Sequence, residues 1–362
     1  MAHPLCGADI ATLGRVFADG GRPDRWGTAA AIWGAALGRL PATLLERALI
    51  ASRLPRVEDM APPVFILGHW RSGTTHLYNL MSLEGWGYVP PVAVGLPHDM
   101  FGLARLLRPI LERQLPPTRY IDNIPVTPTS PQEDEIAIAN MSPLSFYHGI
   151  YFPRAFDRLI DRGLFFDGCT RAEIDAWAGR FTWFMRKLAL DQGKPLLIKN
   201  PVYTARPAML RRLFPGAKFI HIHRNPHEVF LSMRNFYKQL LGVMALQDIP
   251  AGLDIDATIL RVYDRMMRAF VTETEGWTAP DFIELPYARL DADPMGALAD
   301  IYGTLKLPGF GQIEPRARGY LAGIEGYAKN SFRADDATVE KVEAALGPWF
   351  ARWGYGRPEQ AA

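Results

Sequence analysis

The chain has 362 residues, of which 48% are hydrophobic and 22% charged, values that are ordinary for a globular protein with a substantial core. Its 40 Lys and Arg against 38 Asp and Glu leave a net charge of +2, too balanced to indicate nucleic-acid binding by bulk charge. The two cysteines exclude a disulfide framework, and there is neither a secretory signal nor an apolar run of about 20 residues, so we expect a cytoplasmic protein.

The first part of the chain predicts helices followed by a strand, a loop and another helix. Residues 29–54 have the composition of two short helices that are broken near Pro41. Residues 62–68, PPVFILG, predict a short buried strand, because apolar residues lie between prolines and a glycine. Residues 74–83 carry apolar side chains at helical spacing. The segment 86–130 is rich in proline and irregular, and we expect a loop or lid insertion there.

Three more short apolar runs predict strands, at residues 195–201, 217–226 and 280–287. Two of them are followed by helical patterns, over residues 227–241 and 293–307. Strands that alternate with helices are typical of a parallel sheet that is covered on both faces. The sequence therefore predicts a helix-rich α/β fold with a P-loop-like parallel sheet flanked by helices.

The loop GHWRSGTTHL, residues 68–77, lies between the first strand and its helix. A glycine turn that enters a helix directs backbone N–H groups and the positive end of the helix dipole at one point. Arg71 adds a planar cation, and three hydroxyl donors follow it, Ser72, Thr74 and Thr75. The loop indicates a phosphate or sulfate site. A glycine turn with incidental hydroxyls is the alternative.

A second motif, RNPHEVFLS, follows the third strand. Arg224 lies where ligands gather at the end of a parallel strand, and Ser232 lies eight residues later, about two helical turns along. If the chain turns back at Asn225-Pro226, the two side chains could hold one anion from two sides. Taken alone, an arginine at a strand end more often caps carbonyl groups.

Together, RSGTT after one strand and RNPHEVFLS after another resemble the sulfotransferase family that uses 3′-phosphoadenosine 5′-phosphosulfate (PAPS). The resemblance extends from about Pro62 to Leu290 and implies one sulfotransferase domain over 1–362, with PAPS as co-substrate and no metal. It implies that Arg224 and Ser232 hold the 3′-phosphate. It implies that the phosphosulfate is held by Arg71, Ser72, Gly73, Thr74 and Thr75.

The absence of a lysine after Gly73 agrees with this resemblance. That lysine serves a β/γ-phosphate pair held with Mg²⁺, and a sulfuryl donor has no γ-phosphate. Many relatives carry a lysine where this chain has Arg71. The resemblance also implies that Lys199 stabilises charge on the transferring sulfuryl group. However, members that sulfate phenols and steroids place a histidine base at the position of Pro201, so the base must come from elsewhere.

Residues 130–140, SPQEDEIAIAN, contain the best candidates for the base. We expect a helix capped by Ser130 that has Pro131 at its first position. The stretch resembles Pro-Gln-Glu-Asp-Glu in bacterial and protein-tyrosine-type relatives, in which a glutamate is the base. We favour Glu133, with Glu135 and His98 as alternatives. Acids in a first helical turn often only stabilise the helix dipole.

Three further residues extend the implied donor site. Tyr287 matches an aromatic that lies near adenine in the family, although a packing role is about as frequent for such a tyrosine. His76 lies where some relatives have an adenine-stacking Trp, and a histidine on a helix surface is the simpler interpretation. Lys329, in a weaker match over 327–333, would add to the phosphate clamp.

The acceptor is less visible. Residues 101–115 are amphipathic and interleave leucines with arginines, which fits a helix on a membrane surface or, more commonly, a lid helix packed on the core. We expect a small or lipid-like hydrophobic acceptor that carries a hydroxyl or amine. A P-loop small-molecule kinase is disfavoured by the missing lysine after Gly73, and a non-catalytic nucleotide-binding protein is disfavoured by Lys199 and the acidic cluster.

Overall fold

The structure, a computed structural model, describes residues 2–113, 118, 126–324 and 335–357. The chain divides into two compact units. The helical unit comprises Met1–Ala61, Gly87–Leu196 and Lys238–Leu253. The sheet unit comprises Pro62–Trp86, Leu197–Tyr237 and Asp254–Ala362. The assignment of one domain over 1–362 stays a prediction.

The described residues form short 3₁₀ turns, α-helices and one sheet. The strands are β1 Val64–Leu67, β2 Leu197–Lys199, β3 Lys218–His223 and β4 Phe282–Pro286. The helices are, in chain order, α1 Ile10–Gly20, α2 Trp26–Ile50, α3 Thr74–Met81, α4 Pro91–Gly95, α5 Leu103–Leu106, α6 Arg108–Arg113, α7 Glu135–Met141, α8 Tyr147–Tyr151, α9 Phe156–Phe165, α10 Arg171–Gln192, α11 Pro207–Leu213, α12 Pro226–Met244, α13 Ile255–Glu273, α14 Tyr287–Ala292, α15 Pro294–Thr304, α16 Phe310–Gly323 and α17 Asp336–Trp353. The 3₁₀ turns are Pro4–Gly7, Val57–Asp59, Pro153–Ala155 and Pro201–Ala205.

The sheet confirms the predicted parallel α/β architecture. Its strand order is β2-β1-β3-β4, and every neighbouring pair is parallel. The side chains of β1 are all buried, as a strand covered on both faces requires. At its centre, Phe65 lies opposite Ile198 of β2 and Phe219 of β3. The carboxyl ends of the strands therefore lie at one edge, where the loops after β1, β2 and β3 begin.

In the helical unit, a core helix begins at a strong local signal. Thr170 and Glu173 form a capping box at the start of α10, in which each side chain accepts a hydrogen bond from the other residue's backbone N–H. The buried side chains of α10 include Trp177 and Phe181, whose rings stack at 5.3 Å. Within the described parts of both units, no helix is long and apolar enough to cross a membrane.

The prediction of two short helices broken near Pro41 was wrong. A single helix, α2, runs from Trp26 to Ile50 with Pro41 inside it. Proline removes one backbone hydrogen bond and usually bends or ends a helix. Here the turns on both sides of it contribute buried side chains to one packed face, which outweighs that local cost. These side chains are Ala29, Ile32, Ala36, Glu46 and Ile50.

The amphipathic stretch 101–115 is not one helix. Over its described residues, α5 ends at Leu106 and α6 begins at Arg108. Pro109 explains the break, because a proline has no backbone N–H to donate to the carbonyl four residues earlier, that of Arg105, and its ring crowds that turn. Residues 114–117 and 119–125 of the predicted insertion lie outside the described residues.

Candidate functional site

The loop after β1 begins with a glycine that its surroundings require. Gly68 has φ 144°, and a Cβ there would lie 2.4 Å from the carbonyl oxygen of Ile222 on β3. Its N–H donates to the Thr204 hydroxyl at 2.8 Å. Only glycine allows β1 and β3 to approach so closely at the point where the loop leaves the sheet.

The second glycine, Gly73, precedes the first residue of α3 and has φ 92°. A Cβ at this position would lie 2.2 Å from Cδ2 of Tyr287, so the ring of Tyr287 covers the loop at the N-terminus of α3. Ser72 and Thr74 on either side are buried. Backbone N–H groups at the start of a helix provide a site for an anion.

Arg71 joins the two sequence motifs. Its backbone has φ 69°, in the left-handed region that few residues other than glycine adopt. Its Nε donates to the Ser232 hydroxyl on α12 at 2.8 Å, and an Arg224 guanidinium nitrogen donates to the Arg71 carbonyl at 3.4 Å. The structure thus brings Arg71, Arg224 and Ser232 together, although 161 residues separate the first from the last.

Arg224 is oriented by two side chains. Its guanidinium carbon lies 4.6 Å from the centre of the Tyr287 ring, and the guanidinium forms an ion pair with Glu228 one helical turn further along. Both partners of the ion pair are partly exposed. A ligand anion at Arg224 therefore competes with the Glu228 carboxylate. The sequence interpretation missed Glu228, although a glutamate four residues after the arginine, in the first turn of the helix predicted over 227–241, is a recognisable signal.

Lys199 lies at the end of β2, and its side chain is almost completely buried. Its ammonium group donates to the Thr75 hydroxyl on α3 at 3.2 Å and lies 5.9 Å from the centre of the Tyr78 ring. The next residue, Asn200, accepts a hydrogen bond from Val202 N at 3.0 Å and so caps the 3₁₀ turn that Pro201 begins. A buried cation thus lies beside the loop, and the turn that follows it carries no base at position 201.

The remaining predicted donor residues have different positions. His76 lies on α3, half-buried, with its ring centre 6.4 Å from that of Tyr320. Tyr320 also accepts a hydrogen bond from Asn79 at 3.3 Å, so His76 lies beside α16. Lys329 and the weaker match over 327–333 lie outside the described residues.

The C-terminal segment packs against the end of β3, which the sequence interpretation also missed. The His223 ring stacks on Trp353 at 4.8 Å, and its Nδ1 lies 2.7 Å from the Tyr355 hydroxyl. Asn225 donates to the Gly356 carbonyl at 3.0 Å. Burial lowers the pKa of His223 to about 4, so this ring is neutral near pH 7. These contacts hold the residues on both sides of Arg224.

The acidic cluster belongs to the helical unit, and its helix begins later than predicted. Helix α7 starts at Glu135 with Asp134 as its N-cap, and not at Ser130 and Pro131. Ser130 is used by a nearer turn, because its hydroxyl accepts a hydrogen bond from Thr127 N at 2.8 Å. The local turn satisfies the side chain that the prediction assigned to the helix cap.

The two candidate glutamates differ in environment. Glu135 is buried, and its carboxylate accepts hydrogen bonds from the Ser145 hydroxyl at 2.7 Å and from Phe146 N at 3.0 Å. Glu133 is half-buried in the segment before α7. The residue before it, Gln132, is fixed by a 2.9 Å hydrogen bond from its N–H to the Val89 carbonyl. The Glu135 carboxylate thus fixes the chain at Ser145 and Phe146.

The third candidate base, His98, is buried in the helical unit. Its Nε2 lies 3.1 Å from the Asn140 carbonyl and 3.6 Å from Asp9. Burial lowers its pKa to about 4, although Asp9 acts in the opposite direction. His98 and Trp183 line a cavity of about 300 Å³ in this unit. In neither unit do the described residues include a group of three or more His, Cys, Asp or Glu that could hold a metal ion.

Comparison with known proteins identifies the relatives of this chain. The profile of the Sulfotransferase family matches residues 62–311. The omega-hydroxy-beta-dihydromenaquinone-9 sulfotransferase Stf3 of Mycobacterium bovis is 30% identical over 326 residues, which are 88% of this chain and 82% of the relative.

Two solved structures share the fold. Sulfotransferase STF9 from Mycobacterium avium has a TM-score of 0.67 at 16% identity, covering 96% of both chains. Sulfotransferase STF1 from Mycobacterium tuberculosis H37Rv has a TM-score of 0.58 at 17% identity, covering 93% of this chain and 91% of that one. At these identities the two structures show the likeness of fold alone.

Proposed function

This chain belongs to the sulfotransferase family and is an enzyme of that kind, and from that premise we propose that it transfers a sulfuryl group from PAPS to a hydrophobic acceptor. The group on the acceptor is a hydroxyl or an amine. The family generally uses PAPS as donor. Family membership sets aside the small-molecule kinase and the non-catalytic protein. The nearer likeness to protein-tyrosine-type enzymes stays a prediction.

One observation carries the assignment of the donor: three cations and the Ser232 hydroxyl meet at the loop after β1. Arg71 bonds to Ser232, and Arg224 donates to the backbone of Arg71. Lys199 approaches the same loop from β2 through Thr75. PAPS carries a 5′-phosphosulfate and a 3′-phosphate. Binding both groups needs separated positive side chains, each with hydroxyl or N–H donors beside it. The residues present fit PAPS.

We assign roles to the groups of the loop accordingly. Thr74, Thr75 and the N–H groups that begin α3 bind the 5′-phosphosulfate, together with Arg71, Ser72 and Gly73. Arg224 and Ser232 bind the 3′-phosphate. Tyr287 packs beside the adenosine, since its ring already covers Gly73 and Arg224. We also keep His76 and Lys329 as predicted donor-site residues, with less support than the residues of the loop.

In the reaction, a protein carboxylate removes the acceptor proton while a new bond forms from the acceptor oxygen to sulfur. The bond from sulfur to the oxygen of the 5′-phosphate breaks, and adenosine 3′,5′-bisphosphate leaves. Lys199 and Arg71 stabilise the negative charge that develops on the leaving oxygen. We propose Glu133 as the base, because the carboxylate of Glu135 already accepts two protein hydrogen bonds.

The acceptor class follows from the relative that is 30% identical. That protein acts, by its name, on an omega-hydroxylated dihydromenaquinone, a lipid-like alcohol. We propose that this chain also sulfates a hydroxyl on a hydrophobic, lipid-like acceptor. The cysteines of the helical unit, Cys6 and Cys169, are free thiols, which agrees with a reducing compartment such as the cytoplasm.

The donor assignment is tested by calorimetric titration with adenosine 3′,5′-bisphosphate and with ADP. The bisphosphate should bind and raise Tm, whereas ADP, which lacks the 3′-phosphate, should bind at least about tenfold more weakly. Arg224→Ala should remove most of the difference. Equal binding of the two nucleotides to the unaltered enzyme would contradict the assignment of Arg224 and Ser232.

The acceptor is tested separately, by the PAPS-dependent release of adenosine 3′,5′-bisphosphate. A polyprenyl alcohol and the matching polyprenyl hydrocarbon differ only in the hydroxyl. Release that requires the alcohol supports the acceptor class. Release with a short phenol but not with the polyprenyl alcohol would replace that class while leaving the donor assignment intact.

A further inference from the structure

The second half of α2 presents large apolar side chains to solvent. Leu37, Leu44, Leu45 and Leu49 are 56–63% exposed. Every exposed residue from 37 to 53, a fully described stretch, is apolar, glycine, serine or arginine. An exposed apolar helix face of this size is unusual on a protein that has no partner for it.

The acid in this stretch is withdrawn from the surface. Glu46 is buried, and its carboxylate accepts a 2.7 Å hydrogen bond from the buried ammonium of Lys187. The exposed charges of residues 37–53 are therefore positive, from Arg47 near the end of α2 and from Arg53 in the turn that follows it. The described residues contain no ion-pair partner for these two arginines.

A second segment that exposes apolar side chains, α5 and α6, is held to α2 by Glu46. The other carboxylate oxygen of Glu46 accepts hydrogen bonds from Phe101 N at 2.9 Å and Gly102 N at 2.7 Å, just before α5. Within α5 and α6, Leu106 and Ile110 are 77% and 54% exposed. Glu46 thus fixes the start of α5 against α2.

The charged residues of α5 and α6 are mainly arginines. Arg105, Arg108 and Arg113 are exposed, and the acid within this stretch, Glu112, forms an ion pair with Arg108 at 2.6 Å. Arg105 is partly neutralised by Asp191 at 2.7 Å. Both helical segments therefore combine exposed leucine or isoleucine with arginine, and no exposed acid lies among them in residues 37–53 and 102–113.

We propose that these two segments, residues 37–53 and 102–113, form a face that docks on the surface of a bilayer containing anionic lipids. Leucine and isoleucine side chains would enter the boundary between headgroups and acyl chains, while arginines pair with lipid phosphates. This charge pattern favours an anionic lipid surface over an uncharged apolar protein partner. The inference goes beyond the proposed function and holds for any acceptor.

A cavity supports the choice of lipid. Leu44 and Arg47 belong to the docking face and also line the cavity of about 300 Å³ in the helical unit. Its other walls include Leu40, Ile10 and Trp183. The lining also includes Arg180, which lies 3.7 Å from Asp9 and offsets the charge of that acid. A cavity with apolar walls of this kind can accept the end of an acyl chain while the headgroup phosphate stays outside, near Arg47.

The proposal is tested by sedimentation of the full-length enzyme with vesicles of phosphatidylcholine alone or with about one quarter phosphatidylglycerol. The enzyme should sediment mainly with the anionic vesicles, and high salt should weaken the binding. The variant Leu37→Gln/Leu45→Gln/Leu49→Gln should lower the bound fraction by about tenfold or more. Glutamine has a helix propensity close to that of leucine, so α2 should persist.

A matched control removes apolar side chains elsewhere in the same unit. Val243 and Ile249 are each 49% exposed, and Val243→Gln/Ile249→Gln should sediment like the unaltered enzyme. Arg47→Gln/Arg53→Gln should reduce the preference for anionic vesicles more than the binding to neutral ones. Circular dichroism and titration with adenosine 3′,5′-bisphosphate verify that each variant is folded.

Two results would overturn the proposal. One is sedimentation of the triple leucine variant at the unaltered level, which would mean that the face is not the contact. The other is an absence of vesicle binding together with a self-association, measured by analytical ultracentrifugation, that the triple variant abolishes. In that case a second copy of the chain covers the face.

Discussion

The two units use charged side chains in opposite ways. In the sheet unit, Arg71, Arg224 and Lys199 converge on one loop at the carboxyl edge of a parallel sheet. In the helical unit, Glu46 and Glu135 accept hydrogen bonds that hold neighbouring segments in place. A charged residue type therefore says little about chemistry until its partners are known. Charged side chains that converge on one loop indicate a ligand site, whereas charged side chains that hold neighbouring segments of the fold together do not.

The sharpest test of this contrast replaces Glu133. Glu133→Gln keeps the shape and removes the basicity, so turnover should fall by about 10²–10⁴-fold while the affinity for adenosine 3′,5′-bisphosphate stays within a factor of about two. Initial rates and calorimetric titration measure the two quantities. A matched change, Glu135→Gln, should instead lower the free energy of unfolding by about 1 kcal/mol, because Ser145 and Phe146 then donate to a neutral amide oxygen in place of a charged carboxylate.

The opposite pattern would correct the assignment. If Glu135→Gln abolishes turnover without loss of stability, Glu135 is the base. If neither glutamate matters and His98→Ala abolishes turnover in a folded protein, the base is His98.

Acid should destabilise both units through their buried histidines. Burial lowers the pKa of His98 in the helical unit and of His69 in the sheet unit to about 4. As the pH falls from about 6.5 to about 4, the unfolded chain binds protons that the folded chain rejects. The free energy of unfolding should therefore drop by up to about 3 kcal/mol for each histidine, with no further loss from these groups below about pH 4.

Urea titrations at pH 7, 5.5 and 4.5 measure that dependence. His98→Gln and His69→Gln should each flatten it. A stability that is constant over this range would mean that the folded protein accepts the protons.

The next effect concerns the loop of the sheet unit. Arg71→Ala removes a charged partner of the donor and should weaken adenosine 3′,5′-bisphosphate binding by about 1.5–3 kcal/mol, with little change in Tm. The control is Arg234→Ala on the same helix as Ser232, where the arginine forms a two-pronged ion pair with Asp256. Unchanged binding in a folded Arg71→Ala variant would remove Arg71 from the site.

The unaltered enzyme should keep its activity in excess EDTA. Loss of activity in EDTA would show that the side-chain cations at the loop do not suffice for the reaction and that a metal ion is required.

The smallest effect has the opposite sign. Glu228 competes with ligand phosphate for Arg224, and both side chains are partly exposed. Glu228→Gln should therefore strengthen adenosine 3′,5′-bisphosphate binding by about 0.2–1 kcal/mol, a fewfold gain in affinity. Binding of ADP should change less, since it lacks the 3′-phosphate. A loss of affinity would show that Glu228 orients Arg224 and does not compete with the ligand.

The strands and the loop could be predicted because their signals are local. The apolar run between the prolines and Gly68 predicted β1. The loop over 68–77 contains Gly68 and Gly73, the two glycines that the close approach of neighbouring atoms requires. Pro41 misled the prediction, since the packing of a whole helix face decided the outcome. Ser130 misled it as well, because the Thr127 N–H was a nearer partner than the helix.

The geometry of the site was less accessible. The bond from Arg71 to Ser232 joins residues far apart in sequence, so no local pattern contains it. The ion pair of Arg224 with Glu228 could have been inferred from their four-residue spacing. Pro109 was likewise a local signal for the break between α5 and α6, which the prediction of one amphipathic helix did not use. Roles of individual glutamates depend on burial and partners, which the order of residues does not reveal.

Because Lys187 and Lys199 are buried, the rate at which their amines are chemically modified measures how often the surrounding structure opens. Lys187 lies in the helical unit and Lys199 in the sheet unit, and both amines are shielded from solvent. Acylation by an amine-reactive reagent requires the amine to reach water, so each lysine should be modified only when its surroundings open. Mass spectrometry of the modified peptides would give separate opening rates for the two units from one sample. Ligand at the loop should slow the modification of Lys199 more than that of Lys187.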